Sequence, residues 1–440
     1  MQSAKFQCKN NSTSMKLDTD KIFFILCCIM VALLTIRDVG NVNLSKWIFL
    51  ALGVMVFLFF DNDYMAIFLC FLIPFIVGIP NSYIFLVGLI IFIGKNLKKI
   101  IINIYILGLF LIFIIEFLSF IYGGFSIGDY IRFVAPLSLI SLIIFNDKDN
   151  FDYGKMLLYF LFAAVSAELN VIFQSTNLNG LNNLISSGLR LGNTKQLLLE
   201  EGMRVSFNPN SLGFLCAFSI SILILLLDRN IKHIPIKITL LVFQILIGIM
   251  SLSRSFLVIL GIIALVYWLS LAESLWEFIK GFSIITVITI GICASINHYY
   301  PNLLTSIYAR FAVEDISNGR LDIMELYFNV LTKHPERLIF GVGLQGYNEK
   351  SGVMMSCHNG TQEILITWGV IGLLSVAFYI FGLYEYGMRG ASVKGRKIIY
   401  LLPLIILIID VQSGQFFSSS IIPLYFLPVY AAMRLAKSVS

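Results

Sequence analysis

Charge is what this sequence lacks most. Only 13% of its 440 residues are Asp, Glu, Lys or Arg, whereas 58% are hydrophobic and the mean hydropathy is +0.88. A water-soluble domain keeps roughly a quarter of its residues charged. A deficit spread over the whole length therefore excludes a soluble globular protein and makes lipid the expected solvent. Cysteine is sparse too: Cys8, Cys27, Cys28, Cys70, Cys216, Cys293 and Cys357 lie mostly inside apolar runs, with no pair at metal-ligand spacing. This argues against a disulfide framework and against a zinc module, and the cysteines are read as small buried hydrophobes. No 20-to-50-residue repeat and no soluble second domain are visible. The first apolar run begins at Ile22 with no small-residue cleavage pattern after it, so it is read as a first span rather than a removable signal.

Long hydrophobic runs fill the rest. A membrane-crossing helix needs about 20 apolar residues, fewer where flanking side chains snorkel. Fourteen candidates fall at 22–36, 47–60, 65–79, 83–94, 100–122, 134–145, 156–174, 211–227, 238–252, 255–272, 281–296, 361–383, 398–412 and 418–436. The expected fold is an all-α polytopic helical bundle of about 12–14 spans, a single membrane domain over residues 1–440. The net charge of +6 could serve nucleic acid, anionic lipid or topology. Position decides among them: with the amino terminus inside, Lys95, Lys98 and Lys99, then Arg229, Lys232 and Lys237, then Arg389, Lys394, Arg396 and Lys397 all fall in inner loops. Both termini are expected in the cytoplasm, the bilayer is the expected partner, and no nucleic acid is.

That orientation leaves two long outward segments, 175–210 and 297–360. Long loops in a compact protein are usually functional or disordered. The second carries Phe311, Leu321, Ile323, Met324, Leu326, Tyr327, Val330 and Leu331 at helical spacing, so an amphipathic helix is expected, capped by Asn318 or Ser317 with Gly319 in the turn. It would lie on the outer membrane face or over a cavity.

Candidate chemistry gathers on this outward side. In 297–360, Arg310, Arg320, Lys333, Arg337 and Lys350 face six acidic residues, so no broad anion-attracting field exists and any anion must be held by a few placed guanidiniums. Arg254 is the only charge between Lys237 and Glu273. It suits either a snorkelling arginine or a bidentate phosphate clamp. Arg204 precedes Asn208, Pro209, Asn210, Ser211, Leu212 and Gly213, a helix start that serves equally as an ordinary cap or an anion site. His358, just ahead of a span, is either structural or a general base. After His334 and Pro335, the run Gly341, Val342, Gly343 reads as a turn and a flexible approach toward His358. The outward side holds no metal-ligand set and no Asp-x-Asp pair, so metal-independent chemistry without a cofactor is expected.

As an ordered series, Arg204 with Asn208, Pro209, Asn210 and Gly213, then Ser253, Arg254 and Ser255, then Asn318, Gly319, Arg320 and Leu321, then His334, Pro335 and Gly341, Val342, Gly343, and last His358 and Asn359 resembles the O-antigen polymerase and O-antigen ligase superfamily over residues 185–385. The resemblance implies a glycosyltransferase of the bacterial inner membrane acting on its periplasmic face, with part of the active site on the loop 297–360. The implied substrate is an undecaprenyl-diphosphate-linked oligosaccharide, and a chain-length regulator is an expected partner. A polymerase would move a growing O-antigen or capsule glycan onto another lipid-linked repeat unit; a ligase would move it to a lipid A core sugar. Carried over by position, Arg254 and Arg320 would bind the diphosphate and His358 would deprotonate the acceptor hydroxyl. Arg204, Asn210 and Asn359 would contact substrate, and Asp410 is an acidic candidate. A polysaccharide flippase is the alternative of another class, although its charges would sit at the midplane.

Overall fold

A computed structural model describes residues 3–78, 81–123, 127–147, 151–180, 190–192, 208–229, 233–271, 274–312, 319–344, 346–353, 355–391, 397–413 and 422–439. They form helices and no strand. That is the only open arrangement that lets a spanning segment pair its own backbone polar groups without water. In chain order the helices are α1 (Ser3–Asp38), α2 (Lys46–Phe59), α3 (Asn62–Leu72), α4 (Asn81–Asn96), α5 (Ile104–Gly123), α6 (Ile127–Phe145), α7 (Tyr153–Asn179), α8 (Pro209–Asp228), α9 (Ile234–Met250), α10 (Arg254–Leu271), α11 (Leu275–Tyr299), α12 (Pro301–Phe311), α13 (Arg320–Lys333), α14 (Pro335–Phe340), α15 (Tyr347–Ser351), α16 (Gly360–Met388), α17 (Lys397–Tyr400), α18 (Leu402–Ser413) and α19 (Phe426–Leu435). Among the described residues, seven helices are long and apolar enough to cross a membrane and six shorter apolar ones accompany them. The protein is thus an all-α polytopic membrane protein.

Burial sorts the spans. Helix α8 is enclosed, with Phe214, Leu215, Phe218 and Ile222 all inside the core, whereas α5 turns Phe110, Leu111, Phe117 and Leu118 outward. An outward apolar face is what lipid contact requires.

Hydrogen bonds assign the loops to two ends. The segments after α2, α4 and α6 meet through Asn62 to Asn96 (2.8 Å), Ile101 N to Asn146 Oδ1 (2.6 Å) and Asp152 N to Asp63 Oδ1 (2.9 Å). At the same end Arg434 donates to Arg389 O and Tyr386 O and to Tyr153 Oη. The start of α16 lies at the far end, 29 residues or roughly 40 Å of helix away. The lysine-rich 95–99 segment and Arg389 therefore share one end, and the segment before Gly360 belongs to the other, the partition the charge pattern leads one to expect.

Helix α16 is broken at Gly369 (φ 65°, ψ −162°). The break strips carbonyls of their helical partners, and the 341–343 strap replaces them: Val342 N donates to Ile366 O at 2.9 Å and Gly343 N to Thr367 O at 2.7 Å. A Cβ on Gly341 would lie 2.3 Å from the Thr367 carbonyl, and one on Gly369 would lie 2.2 Å from Ile339 O, so both glycines are needed for the backbones to meet. Beside the strap, buried Glu116 of α5 accepts from Leu344 N (2.7 Å) and Trp368 Nε1 (3.0 Å). This corrects one expectation. The Gly-Val-Gly run is no flexible approach, because its backbone donors are committed to mending a broken helix.

The expected amphipathic helix is α13. It buries Ile323, Tyr327 and Leu331 and leaves Leu321, Leu326 and Phe328 exposed. Asn318 and Ser317 lie outside the described residues; the cap position is Gly319, at φ 73° and with no side-chain cap bond. With Tyr347, Val353, Cys357 and Ile366 the buried face makes a small second core. It joins the helix that begins at Arg320 to the segment that carries His358.

Candidate active site

Three separate stretches of chain supply the site. Arg254 opens α10 after a tight turn in which Leu252 adopts φ 49°, Ser253 N donates to Ser251 Oγ (3.3 Å) and Ser253 Oγ accepts from Phe256 N (3.4 Å). Ser251 and Ser253 are fully buried. Their hydroxyls thus cap and fold the turn. Gly213 of α8 admits that turn, since a Cβ there would lie 2.8 Å from Ser253 Cβ. The Asn208 to Gly213 run therefore works as a helix start, with Asn208 Oδ1 accepting from Asn210 N (3.0 Å), and as the seat for the Arg254 turn.

Arg190 locks the two together. Its Nε donates to Ser251 O (3.2 Å) and its Nη2 to Asn210 Oδ1 (3.1 Å). Asn210, an expected substrate contact, is thus engaged by a neighbouring guanidinium. Arg204, the other expected contact in that region, lies outside the described residues.

Arg320 is half-buried at the first turn of α13. Burial holds its pKa below the usual guanidinium value, Arg254 lowers it further, and the Asp410 carboxylate of α18 acts the other way. Arg254 and Arg320 are therefore close enough to repel, with an acid beside them. His358 feels Arg320 as well: burial and then the Arg320 charge hold its pKa below the ordinary 6.5. Arg320 is thus the hub of the group, within electrostatic reach of Arg254, Asp410 and His358. Two cations held together in a partly desolvated place favour a dianion between them, since like charges are otherwise costly there.

The His358 backbone is left-handed at φ 49°, a conformation that must be held by its neighbours. Cys357 N donates to Tyr347 Oη (3.3 Å), Cys357 Sγ contacts Asn359 O (3.4 Å), and Asn359 Oδ1 caps α16 by accepting from Gln362 N (2.9 Å). Asn359 Nδ2 donates to Gln412 O (3.3 Å). Asn359, the third expected substrate contact, thus has both polar ends bonded within the protein. Burial pushes the Cys357 thiol up to about 11, so it stays neutral and acts as packing.

An apolar cavity of about 170 Å³ opens beside these residues. Thr361 and Gln412, bonded to each other at 3.0 Å, stand at its polar rim, and Ile364, Val376, Leu404 and Leu407 line its depth between α16 and α18. Among the described residues no group of three or more His, Cys, Asp or Glu side chains could hold a metal ion.

Sequence reasoning missed Arg190 as a clamp and passed over Glu363, a fully buried acid directly after Gln362. The signal for Glu363 was present, because a charge at the mouth of an apolar span demands a partner.

Residues 239–377 match the family model described as O-Antigen ligase. The interval runs from α9 into α16 and includes Arg254, Arg320, His358 and Asn359. No curated protein matches the chain. The match carries no support for a flippase. Over that interval, about a third of its length, the chain is similar to the O-antigen ligase family, and this likeness supports a place in the O-antigen polymerase and ligase superfamily.

Proposed function

We propose that this protein is a repeat-unit polymerase for O antigen or capsule. It moves a growing glycan from an undecaprenyl diphosphate carrier to a hydroxyl of another lipid-linked repeat unit on the periplasmic face of the inner membrane, without a metal. The observation that carries this reading is the electrostatic coupling of Arg320 to both Arg254 and His358, residues that come from three distant parts of the chain. In the proposed step His358 takes the proton of the acceptor hydroxyl while that oxygen attacks the anomeric carbon. The bond from that carbon to the diphosphate breaks, and the released negative charge falls between Arg254 and Arg320. Fixed donors aimed at developing charge stabilise the transition state more than the ground state. The apolar cavity at Thr361 and Gln412 gives the first isoprene units a dry place next to the diphosphate. Its walls are what such a chain prefers to water.

The deciding experiment is a chromosomal deletion in a producing strain followed by glycolipid electrophoresis. A polymerase deletion leaves lipid A core capped by one repeat unit. Bare core with long polymer stranded on the carrier would instead assign the ligase reaction and overturn the polymerase reading.

His358 gives a second expectation. A general base must be neutral, and both burial and Arg320 disfavour its proton. Polymerisation measured as kcat/KM should therefore rise through an acid limb below pH 6.5 and stay level above it. His358→Ala should cost about 10²- to 10⁴-fold and abolish that limb. An acid limb unchanged in the variant would assign it to another group.

A further inference from the structure

Gln362 sits in the first turn of α16, four residues after His358. Its side-chain Nε2 donates to Met324 O at 2.6 Å, and Met324 lies one turn beyond Arg320 on α13. One amide thus ties the helix bearing Arg320 to the helix that follows His358. This bond also settles which end of the amide is which, because a carbonyl oxygen accepts only from the NH₂ group. The other end, Oε1, is buried and has no hydrogen-bond partner among the described residues. Leaving a buried acceptor unsatisfied forfeits the hydrogen bond it would make to water. Such atoms are rare in native interiors and call for a cause.

The surroundings select the kind of group that would satisfy it. A diphosphate is rich in acceptors and would be repelled by a carbonyl oxygen, so the leaving group belongs to the arginines. A sugar hydroxyl is a donor. We propose that Gln362 Oε1 accepts a hydrogen bond from one hydroxyl of the acceptor's terminal sugar, and so sets which hydroxyl pattern is accepted. This rests on the glycosyl-transfer reading above. A site that hydrogen-bonds a hydroxyl discriminates strongly against an analogue lacking it, because its own buried acceptor is then stranded again.

The test uses the full-length enzyme in lipid nanodiscs with a natural lipid-linked donor and a set of acceptors, each lacking one hydroxyl of the terminal sugar. With wild type, one deoxy acceptor is expected to lose about 10-fold or more in kcat/KM, chiefly through KM. With Gln362→Met the complete acceptor should fall by the same factor, and that same deoxy acceptor should react as well as the complete one. A purely structural role would depress every acceptor alike and leave the deoxy penalty in place, which overturns the proposal. So does a wild-type series in which every deoxy acceptor stays within about two-fold of the complete one, an outcome that needs no variant to fold. Absence of transfer to the complete acceptor by wild type is a separate result that removes the glycosyl-transfer reading itself.

Discussion

Replacing Arg320 with Ala is expected to lower polymerisation by about 10³-fold while the protein is still made and inserted, and Arg254→Ala should do nearly as much. In the proposed step each guanidinium meets charge that appears only as the diphosphate leaves, so its loss would fall on the chemical step rather than on binding alone. Half-burial of Arg320 matters to the size of the effect. A cation already stripped of part of its water, and already repelled by Arg254, gains more from an arriving anion than an exposed one does. Arg320→Lys should restore little, because an ammonium cannot offer the planar fork that two phosphate oxygens accept. The double variant should cost far less than the product of the single losses, as residues serving one charge act as a unit. Single-turnover assays with reconstituted enzyme measure this. Retention of a third or more of wild-type activity by Arg320→Ala, with normal yield, would remove Arg320 from the site.

The second large effect concerns the fold that holds the site. Gly369→Ala places a Cβ 2.2 Å from Ile339 O at a φ of 65° and ψ of −162° that L-residues avoid. The strained backbone alone costs of order 1–3 kcal/mol. The collision is with backbone, which cannot step aside without breaking the Val342 to Ile366 and Gly343 to Thr367 bonds. A total loss of about 4 kcal/mol or more is expected, enough to remove most folded protein. Gly341→Ala should behave alike, since its Cβ would meet the Thr367 carbonyl. Gly352→Ala separates the two causes. Gly352 has φ 73° but nothing within 4 Å of a Cβ, so only backbone strain of about 1 kcal/mol applies. Recovery of monodisperse protein in detergent and its melting curve report the difference. Equal behaviour of Gly352→Ala and Gly369→Ala would show that the strap contact is not what holds α16.

The strap explains why a break in α16 is tolerated at all. Interrupted helices at membrane depth need their freed carbonyls paired by other protein groups. Here those groups come from the segment that follows α14, so the same bonds fix that segment to the bundle. Lys350 shows the coupling from the other side: its Nζ donates to Ser119 Oγ (2.7 Å) and Val342 O (2.9 Å), and burial lowers its pKa while Glu116 opposes the shift.

Composition and hydropathy alone determined that this is a many-span helical membrane protein, because lipid removes every other option for the backbone and each span declares itself within a window of about 20 residues. The spacing in 320–333 likewise gave α13, since helical periodicity is a local property. Arg254, Arg320 and His358 could be singled out as rare charges or by family resemblance. That Arg320 comes within electrostatic reach of Arg254 and His358 was decided only by tertiary structure, as it depends on α13 docking through Tyr327 against Tyr347 and Cys357. The commitment of Asn210 to Arg190, the capping work of Asn359 and the Gly369 break mended by Val342 and Gly343 were invisible for the same reason. Each is a pairing between segments far apart in the chain, and a one-dimensional pattern records what a residue prefers, not which distant residue satisfies it.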